Sequence, residues 1–302
     1  MRAALITGAI LLLAGWLLTT PGSGIGELPA HTPDIENGET VFWAGGCASC
    51  HATPVEGRRA QGDAKLLLGG GLELETVYGV FHVPNISSHP DAGIGGWSDI
   101  DFVNAMQHGV SPEGRSYYPS FPYTSYARMT VEEVLDLKAF LDTLPAIDSP
   151  FVDHELGFPW SVRRGVGLWK RLYLDASPIL DVEEGNAVLE RGRALVEGAG
   201  HCGECHTPRN ALGAMLEDQW LAGAENPDGP GKIPNITPGA STSGSWSEND
   251  LVYYFESGFT PDWDTVGGSM VAVQENLARL GDDDRRAIAA YLKAVPAIQE
   301  DE

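Results

Sequence analysis

Apolar residues run almost unbroken over residues 3–18 and then give way to a Pro/Gly/acid stretch over residues 21–37. A run of that length falls between a comfortable bilayer span and the core of an export signal. It predicts an N-terminal hydrophobic segment over residues 1–20, either a membrane anchor or a signal peptide, and in both cases export. Beyond residue 37 the apolar spacing turns helical. Ala187, Leu189, Ala194 and Leu195 fall on one helix face within residues 185–197, and a shorter helix over 39–44 holds the matching place earlier in the chain. Ser98 and Ser247 each precede acidic residues, as helix N-caps do. Amphipathic stretches at 130–144 and 281–295 each stop at Leu-Pro or Val-Pro, and Thr130 with Glu133 spells a capping box. No alternating strand pattern stands out, so the expectation is an all-α chain of short helices joined by long Gly/Pro-rich loops.

The pattern is written twice. Pro84-Asn85-Ile86, Trp97-Ser98, Gly109 and Ser111-Pro112-Glu113 recur as Pro234-Asn235-Ile236, Trp246-Ser247, Gly258 and Thr260-Pro261-Asp262. From Trp97 to Pro112 the two copies stay 149 residues apart without a gap, so the repeat is a real alignment. Three or so short helices make a poor core alone, and a flat apolar cofactor at the centre of each copy would supply the missing volume.

Length and charge narrow the picture. At 302 residues, two separate cores are expected. A net charge of −23 excludes nucleic acid as a partner for most of the surface and favours basic partners. The four cysteines occur as two close pairs, Cys47-Ala48-Ser49-Cys50-His51 and Cys202-Gly203-Glu204-Cys205-His206, at matching places in the repeat. Cys-x-x-Cys-His is the attachment signature of c-type haem: two thiols add to the vinyl groups and the adjacent histidine reaches the iron. Zinc or an iron–sulfur cluster would need the two pairs to converge across 155 residues, with coincidental histidines. A thiol redox motif would be expected once and without the histidine. Two covalently bound haem c groups are the expectation, held by Cys47, Cys50 and His51 and by Cys202, Cys205 and His206. A carbonyl just after each histidine, in a turn stiffened by Pro54 or Pro208, would orient the ring.

The distal ligands differ between copies. Met270, ahead of the last helix, is placed to complete the second iron. Its counterpart at the 149-residue offset is Phe121, which cannot ligate. The first iron therefore takes Met129 from the same loop, a histidine (His82 or His108), or keeps an open or water-bound position; Met106 reads as a core residue.

The chain resembles the cytochrome c subunits of membrane-bound alcohol, gluconate and aldehyde dehydrogenases. The likeness rests on Phe42-Trp43-Ala44-Gly45-Gly46, Pro84-Asn85-Ile86-Ser87, Gly93-Ile94-Gly95-Gly96-Trp97-Ser98, Tyr118-Pro119-Ser120-Phe121-Pro122-Tyr123 and His206-Thr207-Pro208-Arg209-Asn210. The resemblance implies two tandem cytochrome c domains, at 38–149 and 181–302, where those subunits commonly have three. They usually carry methionine where Phe121 stands. The implied work is relaying single electrons from the catalytic subunit of a dehydrogenase to an acceptor (quinone, cytochrome or oxidase) on the periplasmic side, as an electron-transfer subunit rather than an enzyme. The alternative is a two-haem enzyme with an open first iron, acting as a peroxidase or oxidising a small inorganic anion; a gas sensor would need a signalling domain for which no residues remain.

A connector over 150–180 joins the units. It puts Arg163, Arg164, Lys170 and Arg171 into nine positions beside Val162, Val166, Trp169 and Tyr173. This stripe reads either as a membrane- or partner-docking face or as a clasp across the domain interface, with arginines on haem propionates or nearby carboxylates.

Overall fold

The computed structural model describes residues 2–22, 24–226 and 229–300. Helix α1 (Arg2–Leu18) is the apolar N-terminal run. Among the described residues no helix is long and apolar enough to cross a membrane. The stretch after it is not a free tether. Ile25 exchanges hydrogen bonds with the Asn104 side chain, and His31 donates to Asp136 at 2.6 Å.

The first unit opens with α2 (Ile35–Ala44), capped by Asp34 and longer at its start than the 39–44 helix expected from the sequence. Helix α3 (Cys47–His51) follows, then a hairpin of β1 (Glu73–Thr76) and β2 (Gly79–His82), then α4 (Asp99–His108), α5 (Tyr123–Tyr126) and α6 (Val131–Asp142). The connector holds β3 (Glu155–Leu156) and α7 (Gly165–Tyr173). The second unit runs α8 (Ala187–Arg193), a π-helical turn (Ala194–Ala199), α9 (Gly203–His206), the pair β4 (Ala224–Glu225) and β5 (Lys232–Ile233), α10 (Glu248–Ser257), α11 (Met270–Leu277) and α12 (Asp282–Ala294). The helical expectation holds for the body of the fold but not for all of it. Two short antiparallel sheets, β1-β2-β3 and β4-β5, are present. They escaped the sequence because two- to four-residue strands give no readable alternation. Capping boxes close at Ser98, Thr130 and Ser247, as the acidic residues after each of them imply.

Each unit is built on one helix crossing. In the first, α2 packs on α6 with Gly38 at the contact, where a Cβ would stand 2.0 Å from the Asp136 carbonyl oxygen. In the second, α8 packs on α12 with Gly192 at the contact, 2.1 Å from the Ala287 carbonyl oxygen. Only glycine lets the two backbones approach so closely. Buried Val41, Phe42 and Phe140 fill the first crossing, and Leu195, Val196 and Tyr291 the second. The two cores run together into a single buried cluster, so the crossings hold both attachment turns, α3 and α9, in one packed body.

The connector clasps both units. The Trp169 indole N–H donates to the Leu212 carbonyl at 2.8 Å, and the buried Lys170 ammonium donates to the carbonyls of His108 and Gly109 at the end of α4. Val166 is buried, but Val162 lies before α7 and is exposed. Among the described residues the connector arginines pair with no carboxylate; their partners are backbone carbonyls and hydroxyls. Arg164 donates to Trp16 O and Thr19 Oγ1 and lies 3.5 Å over the Trp16 ring; Arg171 donates to Leu18 O, Leu17 O and Thr20 Oγ1. Their partners are carbonyls and threonine hydroxyls at the C-terminus of α1, where a cation also meets the negative end of the helix dipole. Arg163 stacks over Tyr118 and bonds the Ser116 carbonyl.

Candidate functional site

Helix α3 places the Cys47 and Cys50 thiols three residues apart on one face, with His51 on the same turn; α9 continues from Cys202 to repeat this with Cys205 and His206. Both turns begin with a sharp reversal. Gly46 supplies it before Cys47 with φ +58°, and His201 supplies it before Cys202 with φ +39°.

The histidine rings are oriented from farther away than the sequence suggests. His51 Nδ1 donates to the Pro84 carbonyl at 2.8 Å, and His206 Nδ1 donates to the Pro234 carbonyl at 2.8 Å. The expected carbonyls beside Pro54 and Pro208 are not the partners. A carbonyl only accepts, so Nδ1 carries the proton and Nε2 keeps its lone pair for a metal. Burial lowers the pKa of both imidazoles, which favours that neutral form. The proline carbonyls are themselves clipped in place. Asn85 donates to Ile147 O at 2.6 Å and accepts from Ser87 N, while Asn235 donates to Ile298 O at 2.8 Å and accepts from Thr237 N. The repeated Pro-Asn-Ile was the signal for this clip, visible in the sequence but not interpretable without the fold.

Burial, with the neighbouring thiol second, pushes Cys47 and Cys202 up to about 12. Such thiols are protonated while nothing is bound to them. Among the described residues no cluster of His, Cys, Asp and Glu could hold a metal ion, so the two cysteine pairs do not converge. Two thiols and a free Nε2 on one turn, twice over, fit a covalently attached haem.

The structure brings Met129 and Met106 together. Both are buried and line a small cleft with Cys47, Val41, Tyr126 and Ala199. Met106, expected to be core only, thus shares the cleft with the candidate ligand. Phe121 is enclosed by Tyr117, Tyr123 and Tyr126, with ring centroids 5.6 to 6.3 Å away. His82 and His108 lie elsewhere and are not freely solvated. His82 sits between Glu73 and Glu155 on the small sheet with its side chain 12% exposed, and His108 is half-buried at the end of α4. Met270 is partly buried at the start of α11 and packs against the second core.

Each turn is bonded to the other unit. Ser49, inside the first motif, accepts from Asn276 Nδ2 at 2.9 Å, and Lys65 pairs with the adjacent Glu275 at 2.7 Å. Reciprocally, Glu204, inside the second motif, accepts from Thr124 Oγ1 at 2.7 Å and Ser125 Oγ at 3.0 Å and pairs with Arg209. Burial opposes the Glu204 charge, but Arg209 and the hydroxyl donors outweigh it and hold the carboxyl below its usual range.

The sequence profile of the cytochrome c family matches residues 35–145 and 189–296. The chain is 53% identical to a diheme cytochrome c-type protein of Cereibacter sphaeroides, covering 99% of this chain and 100% of that one. It is 35% identical to the fructose dehydrogenase cytochrome subunit of Gluconobacter japonicus, over 96% of this chain and 58% of that one. With the alcohol dehydrogenase (quinone) cytochrome c subunit of Gluconobacter oxydans the identity is 31%, over 90% of this chain and 58% of that one. The chain therefore spans somewhat over half the length of these dehydrogenase subunits. It belongs to the cytochrome c family. It carries two covalently bound haem c groups, and its work is electron transfer.

Proposed function

We propose that the chain relays single electrons from a dehydrogenase catalytic subunit to a downstream acceptor on the periplasmic side. The observation that carries this reading is the pair of matching Cys-x-x-Cys-His turns, each bonded to the other unit within one packed body. Bound haem supplies reversible one-electron iron chemistry. Cys47 and Cys50, and Cys202 and Cys205, hold the two groups; His51 and His206 present Nε2 to the irons, their rings aimed by the carbonyls of Pro84 and Pro234. Met270 completes the second iron. Met129 would complete the first: it lines the cleft beside Cys47, and Gln107 fixes its carbonyl at 2.7 Å. A methionine on each iron leaves no open position for a substrate, which favours a relay over a peroxidase or anion oxidase. The exposed Ile6, Ile10, Leu13, Trp16 and Leu17 of α1 support attachment at a bilayer surface.

Optical and low-temperature EPR spectra, oxidised and reduced, with and without carbon monoxide, test the reading. Two low-spin haems that ignore the gas are expected. A high-spin first haem that binds carbon monoxide would instead mark a vacancy and make this chain an enzyme at that site. With Met129 on the first iron, Met129→Ala should gain carbon monoxide binding at one haem, while Met106→Ala should not.

A further inference from the structure

His201 occupies a backbone conformation that its repeat counterpart meets with glycine. The residue just before the first cysteine of each turn has positive φ, +58° at Gly46 and +39° at His201. A histidine in the left-handed region is strained, and such strain persists only where the surroundings hold it. Here the side chain shows what holds it. His201 Nε2 donates to the Gly45 carbonyl at 3.1 Å, two residues before Cys47, and its ring meets the edge of Tyr126 at 5.8 Å between centroids. Gly45 is closely engaged on both sides: a Cβ there would stand 3.6 Å from Cys47 Sγ and 3.2 Å from the Ala199 carbonyl oxygen. Tyr126 in turn lines the cleft beside Cys47. A single side chain thus joins the entrance of the second attachment turn to the entrance of the first.

We propose that His201 is a positioning residue for electron passage between the two haems, acting as a hydrogen-bonded strut that sets the spacing of the α3 and α9 turns. The proposal rests on the relay reading above. The strut gives a direct connection between the two motifs: from Cys202 through its neighbour's ring, across one hydrogen bond to Gly45, and along two residues to Cys47. The flanking contacts, Ser49 with Asn276 on α11 and Glu204 with Thr124 and Ser125 on α5, hold each turn against the other unit. His201 therefore tunes spacing rather than creating the interface.

The test uses the holoprotein with His201→Gly, which suits the left-handed backbone and removes the ring with its Gly45 and Tyr126 contacts. His201→Asn is the second variant; asparagine tolerates that backbone region, and its side chain is too short to reach Gly45. Three quantities are measured: the rate of electron redistribution between haems after rapid one-electron reduction, the two midpoint potentials with haem content, and the iron–iron distance distribution by pulsed EPR on the oxidised protein. In both variants the rate should fall several-fold and the distance distribution should broaden, with potentials and haem content as in the parent. An unchanged rate and distribution would overturn the proposal. So would a rate loss accompanied by shifted potentials or lost haem, because the effect would then be general damage to a site. If the parent protein itself shows no redistribution between haems, the relay reading fails first, and that outcome is separate from any difference between variants.

Discussion

At the scale of single residues, buried charges are tolerated only where their partners are complete. Asp136 is 4% exposed, yet it stays ionised. Burial opposes the charge, but donors from His31, the Asp34 N–H and Asn37 outweigh it and hold its pKa below the usual carboxylate value. Because the folded pKa is depressed, the stability Asp136 lends is complete above the unfolded value near 4 and is lost as pH falls through the lower folded value. Asp136→Asn should cost about 1–3 kcal/mol at neutral pH, since an amide returns N–H groups to a site built from donors. Urea unfolding of the holoprotein at several pH values should show that deficit shrinking as the parent acidifies toward pH 3. Nothing in the sequence marked Asp136, whose counterpart is Ala287; its partners lie about a hundred residues away. The attachment residues are the opposite case. Cys47, Cys50, His51 and their repeats, the proposed attachment residues, stand out in the sequence because haem attachment demands adjacent positions on one turn, whereas the proline carbonyls that aim the histidines come from 33 and 28 residues farther on.

At the scale of elements, the repeat carries more information than its conserved words. Gly38 and Gly192 stand 154 residues apart, while Cys47 and Cys202 stand 155 apart. The one extra residue in the second copy is absorbed as the π-helical turn Ala194–Ala199, a common way for a helix to take an insertion next to a functional site. A second slip surrounds the distal ligand. The offset is 149 between Gly109 and Gly258 and 151 between Asp136 and Ala287. Two residues therefore enter the second copy between Gly258 and Ala287, a stretch that includes α11, which is longer than α5. The helix crossings, by contrast, are built alike. Gly38→Ala and Gly192→Ala should each destabilise their unit by about 1–3 kcal/mol or more, because the added methyl meets a backbone carbonyl that cannot move aside. The asparagine clips give a different readout. Asn85→Ala should cost about 1–3 kcal/mol and also disturb the ligand-field spectrum of the first haem, because the Pro84 carbonyl behind His51 loses its support. The same change at Asn235 should disturb only the second.

At the scale of the whole molecule, the acidic body and its basic connector are parts of one arrangement. The chain carries a net charge of −23, yet residues 157–174 hold four basic side chains and no acid. Charge alone suggested a docking stripe or arginines on carboxylates. The fold spends these cations differently: Lys170 caps α4, and Arg164 and Arg171 cap α1. Gly167 is what lets α7 approach, since a Cβ there would stand 2.4 Å from the Thr19 carbonyl oxygen. The N-terminal helix is therefore received by the connector that spans both units, and its position follows from theirs. Arg164→Gln with Arg171→Gln should release the end of α1. Loss of these solvent-edge hydrogen bonds amounts to about 1–3 kcal/mol, so cleavage of the segment after α1 by a dilute protease should quicken by roughly tenfold. Haem spectra should stay unchanged, because neither arginine touches an attachment turn. Equal cleavage rates in variant and parent would mean that α1 is held by its apolar face alone, and the basic stretch would then need a partner outside the chain.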